Sequence, residues 1–562
     1  MIAALAPRRV ATLLLTLVAT PAFAQIPAAG VSAANPLAVQ AGIDILKAGG
    51  SAVDAAVAVQ AMLGLVEPQS SGLGGGAFLM HFEARTGTIT MFDGREVAPA
   101  AATAHLLLDA RGEPLSIDEA VTSGRATGVP GVIPMLGLAH ARFGRLPWGR
   151  LFGAAISSAH SGFVVPPRLG RFANGPSIQA QQPDVKALFS RPEGRAARAG
   201  DVLRNPAYAA TLRLLAARGP RALHRGPVAR AIVARTRADP RPGSMTLSDL
   251  AGYRPLQRTP LCRPYRGYTV CVPPPPSSGA SVLQLLGILD HTDIAGRGPG
   301  DPHAWYLFAE ASRITYADRD RYIADPAYAA VPVDGLLEPA YIASRAKLIA
   351  ERAGPAPAAG RPPGSAEGAD ATPEGAGTSH FVVVDTRGNV VSMTSTIESL
   401  FGSGRAVRGF LLNNQMTDFS FLPTVAGTAA ANAVAGGKRP RSSMMPVIVL
   451  DAHGGFYAAL GSPGGSAILA YTAKALVALL AWKLPLQQAI DLPNIYARGE
   501  TVVGEAAKLA PAVRDGLAVR GVIVSPGAGE DSGLHGVHVR GSGQLDGAAD
   551  PRRDGTWKRL ER

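Results

Sequence analysis

The sequence predicts an α/β protein of the mixed α+β kind, with two stacked sheets and helices outside them. Three observations lead there. Near the start, two consecutive segments carry helix caps, and the second is apolar nearly all round, as a helix buried on most sides must be. After residue 378 the pattern changes to short apolar or alternating runs separated by glycine turns, the mark of neighbouring strands. Between them, residues 100–350 read as chiefly helical with irregular connections, so strands and helices do not follow the βαβ order of a parallel doubly wound sheet. A chain of 562 residues suffices for a large layered core.

Taken in order, the first segment is a basic pair, Arg8 and Arg9, an apolar run at 10–18, and Ala22-Phe23-Ala24 before Gln25. This is the form of an export signal over residues 1–24. Its apolar run is shorter than the ~20 residues that cross a bilayer, and no later run reaches that length. No cysteine follows the cleavage site, so the expectation is a soluble periplasmic or secreted protein. The formal charge is +13, but the cations are dispersed arginines without a basic run or interleaved aromatics. Nucleic acid is therefore not an expected partner, whereas a diffuse positive field favours small anions.

Asn35-Pro36 caps a helix that stops at Gly49-Gly50, and Ser51 caps a second over 52–65. Ser70-Ser71-Gly72-Leu73-Gly74-Gly75-Gly76 follows; without Gly-Lys-Ser/Thr or a following helix it reads as a tight turn into a strand at 79–82 rather than a nucleotide loop. A second strand at 88–92 ends in Asp93-Gly94-Arg95-Glu96, where an arginine is either ion-paired or a carboxylate fork. A helix is expected at 132–143 and another at 304–317, whose trailing charges at 318–321 read as a solvated or ion-paired segment. Ser277 and Ser278, after four prolines, read as helix-capping. Cys262 and Cys271, the only cysteines, flank a turn between short strands, and an oxidising compartment permits a disulfide there. Zinc-type spacing is absent and no metal site is indicated. Strands at 378–385 and 390–396, a hairpin at 445–459 and a helix at 468–480 complete the pattern.

One junction stands out. Residues 354–377, almost all Ala, Pro, Gly, Ser and Glu, cannot bury enough apolar surface to offset the entropy of ordering and predict a flexible tail. It runs directly into Gly377-Thr378-Ser379-His380 and a buried strand. Either this is a linker before an ordinary strand threonine, or the chain is cut there. A new amino terminus at Thr378 would carry both a hydroxyl nucleophile and, in its α-amine, a base titrating near working pH. The same hydroxyl, attacking the carbonyl of Gly377, could perform the cut by an N-to-O acyl shift.

Gly377-Thr378-Ser379-His380-Phe381-Val382-Val383-Val384-Asp385 resembles the gamma-glutamyltranspeptidase (glutathione hydrolase) family of N-terminal nucleophile hydrolases. So, in the family's order, do residues 35–54, 67–76, Asp93-Gly94-Arg95-Glu96, Pro275-Pro276-Ser277-Ser278-Gly279, 412–419, Lys438-Arg439-Pro440-Arg441-Ser442-Ser443-Met444, Gly461-Ser462-Pro463-Gly464-Gly465 and Asp550-Pro551-Arg552-Arg553. The resemblance implies a four-layer αββα sandwich and self-cleavage at Gly377/Thr378. The products would be a large subunit, 25–377, with its loose tail at about 354–377, and a small subunit, 378–562, held as a heterodimer. It implies Thr378 as nucleophile with Thr396 beside its hydroxyl, and Gly464 and Gly465 as the oxyanion hole. Arg95, Ser442 and Ser443 would hold the donor's α-carboxylate, and Asp418 with Gln415 its ammonium. No cofactor is implied; the partners would be a γ-glutamyl donor such as glutathione and water or an amine acceptor.

Two departures bear on substrate. Glu398 stands where typical members carry Asn, so a carboxylate there meets an ammonium or repels a carboxylate. The stretch 420–438 is short and lacks the tyrosine-bearing lid of many members. Both features resemble cephalosporin (glutaryl) acylase-like branches, the nearest rival; an inactive exported binding protein is a rival of another class.

Overall fold

The computed structural model describes residues 28–191, 193–366, 368–370, 372–375, 377–527 and 532–561. The expected export signal, 1–24, lies outside the described residues. Two antiparallel sheets occupy the centre, and their strands are numbered along the chain. Before the junction come β1 (Gly30–Ala33), β2 (Gly76–Glu83), β3 (Thr88–Gly94), β4 (Leu256–Arg258), β5 (Leu261–Tyr265) and β6 (Tyr268–Val272). After it come β7 (Ser379–Val384), β8 (Val390–Thr396), β9 (Val447–Leu450), β10 (Phe456–Gly461), β11 (His535–Val539), β12 (Leu545–Ala549) and β13 (Thr556–Arg559). One sheet runs β13-β1-β7-β8-β2-β3-β4 and the other β12-β11-β10-β9-β6-β5.

Side-chain alternation explains the layering. In β7, Phe381 and Val383 join the cluster that contains α1 (Pro36–Lys47) and α2 (Ala52–Val66), while Val382 and Val384 face the second sheet and pack with Val447, Val449 and Leu460. A strand covered on both sides needs an unbroken apolar run, and 381–384 supplies it. On the far side of the second sheet lie α3 (Gly279–Asp290), α4 (Pro302–Tyr322) and α5 (Ile468–Leu480), whose Leu286, Phe308 and Leu476 share the inter-sheet cluster. The order is helix, sheet, sheet, helix. The Asn35 side chain accepts from the Leu37 N–H, and Ser51 with Asp54 forms a reciprocal cap, so both outer helices start where their sequences predict.

Several elements differ from the sequence reading. The helix expected to end near residue 317 continues to Tyr322, and of the two readings of its trailing charges the ion-paired one holds at Asp318 and Arg319: both are buried, with Arg345 3.1 Å from Asp318 and Arg319 2.7 Å from Asp320. Distant partners hold them there: Asp318 accepts from Gln284 at 2.6 Å and Tyr341 at 2.9 Å. Ser278 stands at the cap of α3 without capping it; its hydroxyl donates to Ser442 O and accepts from Arg319 Nε, both at 2.9 Å. Cys262 and Cys271 are directly opposed on β5 and β6 and joined, with their sulfurs 2.07 Å apart.

The described part of 354–377 contains neither helix nor strand, but it is tied to the body. Arg313 Nη2 donates to Gly354 O (3.0 Å), Gly360 N to Asp318 Oδ1 (2.7 Å) and Asn432 Nδ2 to Thr372 Oγ1 (3.0 Å). The composition removes hydrophobic anchoring, as expected, and polar contacts take its place. Among the described residues no helix is long and apolar enough to cross a membrane.

Candidate active site

The junction threonine sits at the mouth of the central hairpin. β7 and β8 pair antiparallel with Ser379 opposite Ser395, which brings Thr378 alongside Thr396 at the end of β8. Thr378 Oγ1 lies 2.5 Å from Gly377 O and 3.3 Å from Thr396 Oγ1, and Thr396 Oγ1 also donates to Gly377 O. The carbonyl before Thr378 is thus polarised by one hydroxyl while a second lies against it. Thr396 is fixed in turn by the Glu398 N–H at 2.8 Å. Close backbone approach is what the glycine run provides: a Cβ on Gly75 would fall 1.9 Å from Thr396 O, so the turn into β2 can press against β8 only without a side chain.

Behind Thr378, buried charges clamp the strand. Arg553 Nη1 donates to Thr378 O at 2.8 Å and to Glu67 Oε1 at 3.2 Å, Arg168 reaches the same Glu67 oxygen at 2.9 Å, and Ser379 donates to Glu67 Oε2 at 2.5 Å. Arg553 thus holds the Thr378 carbonyl while Glu67, which pairs with the same arginine, holds the side chain of Ser379.

Of the candidate site positions singled out in the sequence, all except Gly464 and the two cysteines line one cavity. Gly464 immediately precedes the lining residue Gly465 at the turn after β10, with φ of 131°, and the disulfide lies in the β5–β6 hairpin. Arg95 is buried; it donates through Nε to Pro440 O at 3.2 Å and through Nη2 to Arg441 O and Asp418 Oδ2, each at 2.6 Å. Its Nη1 makes no hydrogen bond among the described residues and lies 3.5 Å from Glu96 Oε2. Burial pushes the Glu96 carboxyl up to about 8, so at neutral pH this neighbour does little to neutralise the guanidinium. Gln415 donates Nε2 to Asp418 Oδ2 at 2.6 Å, and its Oε1 is likewise unpaired among the described residues. Burial also raises the Asp418 carboxyl above its ordinary value, with Arg95 pulling the other way.

Glu398 holds a left-handed backbone, φ 79°, unusual for a residue with a side chain. Its carboxyl accepts from Gly375 N (2.8 Å), Ser399 Oγ (2.5 Å) and Asn414 Nδ2. Burial, reinforced by Asp418, pushes it up to about 8. A carboxyl raised on folding binds its proton more tightly in the folded than in the unfolded chain between about 4.5 and 8, so its contribution to stability falls as pH rises through that window and is lowest above it. In a Thr378→Ala background, Glu398→Gln should therefore raise the thermal midpoint over its parent at pH 8.5, and this advantage should vanish towards pH 4.5. Scanning calorimetry at the two pH values reads the trend, and a gain confined to acid pH would contradict it.

The sequence reading missed four residues of this cavity and its wall: Glu374, Arg319, Arg441 and Arg498. The Glu374 carboxylate enters the cavity from the segment before the junction and is held by Arg319 and Arg441. Only Arg441 carried a signal, standing next to Ser442 and Ser443.

The chain is similar to known proteins along most of its length. Residues 38–559 match the family model described as Gamma-glutamyltranspeptidase. The chain is 37% identical to the glutathione hydrolase proenzyme of Bacillus subtilis (strain 168), over 83% of this chain and 80% of that protein. It is also 37% identical to the acylase ACY 1 proenzyme of Pseudomonas sp. (strain SE83), over 93% and 92% of the two chains. Among solved structures, cephalosporin acylase from Bacillus halodurans superposes with a TM-score of 0.83 at 26% identity, over 97% of this chain and 99% of that one. With the family match spanning nearly its whole length and relatives at this identity, the chain belongs to the gamma-glutamyltranspeptidase family.

Proposed function

We propose that this protein cuts itself between Gly377 and Thr378 and then works as a γ-glutamyl hydrolase and transferase on glutathione or related compounds. The observation that carries the reading is a complementary pair of buried groups on two residues that line the cavity of Thr378: among the described residues, neither the donor Nη1 of Arg95 nor the acceptor Oε1 of Gln415 has a hydrogen-bond partner. A group that presents a carboxylate to the first and an ammonium to the second is the α-carbon end of a γ-glutamyl donor. Unpaired buried donors and acceptors are costly unless a ligand satisfies them.

In the first reaction, Thr378 Oγ1 bonds to the carbonyl carbon of Gly377 while the Gly377–Thr378 C–N bond breaks and its nitrogen takes a proton. Water then hydrolyses the ester, leaving a carboxylate on Gly377 and a free α-amine on Thr378. In turnover that amine takes the hydroxyl proton as Thr378 attacks the γ-carbonyl. Backbone N–H groups of Gly464 and Gly465 hold the developing oxyanion, the proton passes to the leaving amine, and water or an acceptor amine releases the acyl group. The two halves stay together as a heterodimer. Residues 1–24 direct export to the periplasm or beyond.

The oxyanion role predicts a large effect at Gly464. A methyl there meets Tyr471 Cε2 at 2.7 Å and the φ of 131° disfavours any side chain, so Gly464→Ala should displace the turn. We expect kcat to fall about 10²-fold or more with a smaller change in KM; steady-state kinetics on a γ-glutamyl anilide measures it, and an unchanged kcat would remove Gly464 from the hole.

Glu398 gives specific support to a second reading, a glutaryl-type acylase, because a carboxyl held protonated near neutrality accepts an acyl group that lacks an ammonium. Comparing γ-glutamyl and glutaryl anilides decides. The proposed function expects kcat/KM at least tenfold higher on the γ-glutamyl compound, a reversed ratio assigns the acylase, and no turnover by an uncut chain leaves a binding protein.

A further inference from the structure

A second cationic group borders the same cavity, and a piece of the protein itself occupies it. Glu374, three residues before Gly377, is gripped by two buried guanidinium forks. Arg319 Nη1 lies 2.9 Å from Oε1 and its Nη2 3.1 Å from Oε2; Arg441 reaches Oε1 with Nε at 2.9 Å and Nη2 at 2.7 Å. Arg498 stands 3.9 Å from Oε2. Arg319 Nη2 also donates to Ser443 Oγ at 2.5 Å, which ties the cluster to the cavity lining. Glu374 itself holds a left-handed backbone, φ 53°, a conformation that a non-glycine residue keeps only when its surroundings dictate it.

The charge balance is informative. The three arginines meet three carboxylates: Asp320, which pairs with Arg319 at 2.7 Å and Arg498 at 2.7 Å; Asp370, which pairs with Arg441 at 2.9 Å; and Glu374. Tyr316 and Tyr496 also face the cluster, and the Asp418 carboxyl on the Arg95 side of the cavity is close enough to feel the charge of Glu374. Two of the three carboxylates belong to the segment that ends at the scissile bond. Once the bond is cut and that segment withdraws, Asp320 alone faces three arginines, two of them fully buried. Uncompensated buried charge of this kind draws in an anion, and forks already set for a carboxylate select one.

We propose that Arg319, Arg441 and Arg498 form a second carboxylate subsite of the processed enzyme, filled by Glu374 in the uncut chain and by a substrate carboxylate during turnover. The inference rests on the γ-glutamyl reading above and extends it: preferred substrates carry a carboxylate beyond the one that faces Arg95, or share one carboxylate between Arg95 and this cluster.

The test compares processed wild type with Arg441→Gln and Arg498→Gln; Arg498 is partly exposed, so its replacement folds even if that of Arg441 does not, and self-cleavage on a gel reports folding. Two donor pairs differ only in a carboxylate against a carboxamide: γ-glutamylglycine and γ-glutamylglycinamide place it on the leaving amine, and a γ-glutamyl anilide and its α-carboxamide place it on the acyl group. The acid-to-amide ratio of kcat/KM should fall at least tenfold in the variants for one pair, and which pair responds locates the carboxylate. Ratios equal to wild type in both pairs overturn the proposal. Calorimetric titration of the processed proteins with glutarate is read independently of turnover. Affinity reduced at least fivefold in the variants supports the subsite even if no γ-glutamyl donor is cleaved, which would defeat the functional reading alone; equal affinity overturns the subsite.

Discussion

Thr378→Ala should leave the chain as a single polypeptide on a denaturing gel, where the wild type gives two fragments, and should lower γ-glutamyl turnover on the order of 10⁴-fold or more. The geometry explains why the effect is so large. The Thr378 hydroxyl lies 2.5 Å from Gly377 O, and in the proposed function the same atom attacks that carbonyl and later receives the acyl group. In that proposal the first reaction also frees the α-amine that serves as base, so losing the hydroxyl removes nucleophile and base together. Thr378→Ser keeps the oxygen and should still cleave itself, more slowly because the methyl that restricts χ1 is gone. Mass spectrometry of the new amino terminus identifies the bond, and two fragments from Thr378→Ala would show that Thr378 does not cut the chain.

Arg95→Lys should lower kcat/KM for γ-glutamyl donors about 10²- to 10³-fold while the chain still processes. Lysine preserves the charge but not the planar fork. Arg95 spends Nε and Nη2 on Pro440 O, Arg441 O and Asp418, and its remaining Nη1, 3.5 Å from Glu96, makes no hydrogen bond among the described residues. A single ammonium cannot hold the 440–441 backbone, pair with Asp418 and meet a carboxylate at once. Truncating a buried, hydrogen-bonded charge of this type typically costs about 2–5 kcal/mol, a range that contains the expected loss. Steady-state kinetics on wild type and variant measures it; a loss under threefold would place the donor's carboxylate elsewhere in the cavity.

The central hairpin was readable because its signals are local. Apolar residues at 381–384 and the turn at 386–389 specify two paired strands without reference to the rest of the chain, and Asn35 and Ser51 announce their helices in the same way. Thr378, Thr396, Arg95, Asp418, Ser442, Ser443 and Gly465 were found through family resemblance, and they do share one cavity. What escaped was set by long-range pairing. Arg319 lies in a run of alternating charges that looks solvated, and only carboxylates at 374 and 320 and the hydroxyls at 278 and 443 explain its burial. Glu374 was hidden for the opposite reason: in a segment of Pro, Gly and Ala, one acidic side chain looks like a solubilising residue until its three arginines are seen. The glycines at 74–76 were read correctly as a tight turn, but not as the relief that lets the turn press on the carbonyl of Thr396.

The strand order of the first sheet has a consequence for the life history of the molecule. β7 and β8, which follow the cut, lie between β1 and β2, which precede it, and β13 closes the edge beyond β1. If the chain is severed at Gly377, neither piece keeps a complete sheet, and dilution alone cannot separate them without tearing the β1–β7 and β2–β8 ladders on either side of the β7–β8 hairpin. Heating is a different matter: once the interleaved strands come apart, the pieces must find each other by diffusion, each exposing edges that pair with the wrong neighbours. If the proposed cut follows folding, maturation trades a chain that can refold for an assembly whose endurance is set by how slowly it opens.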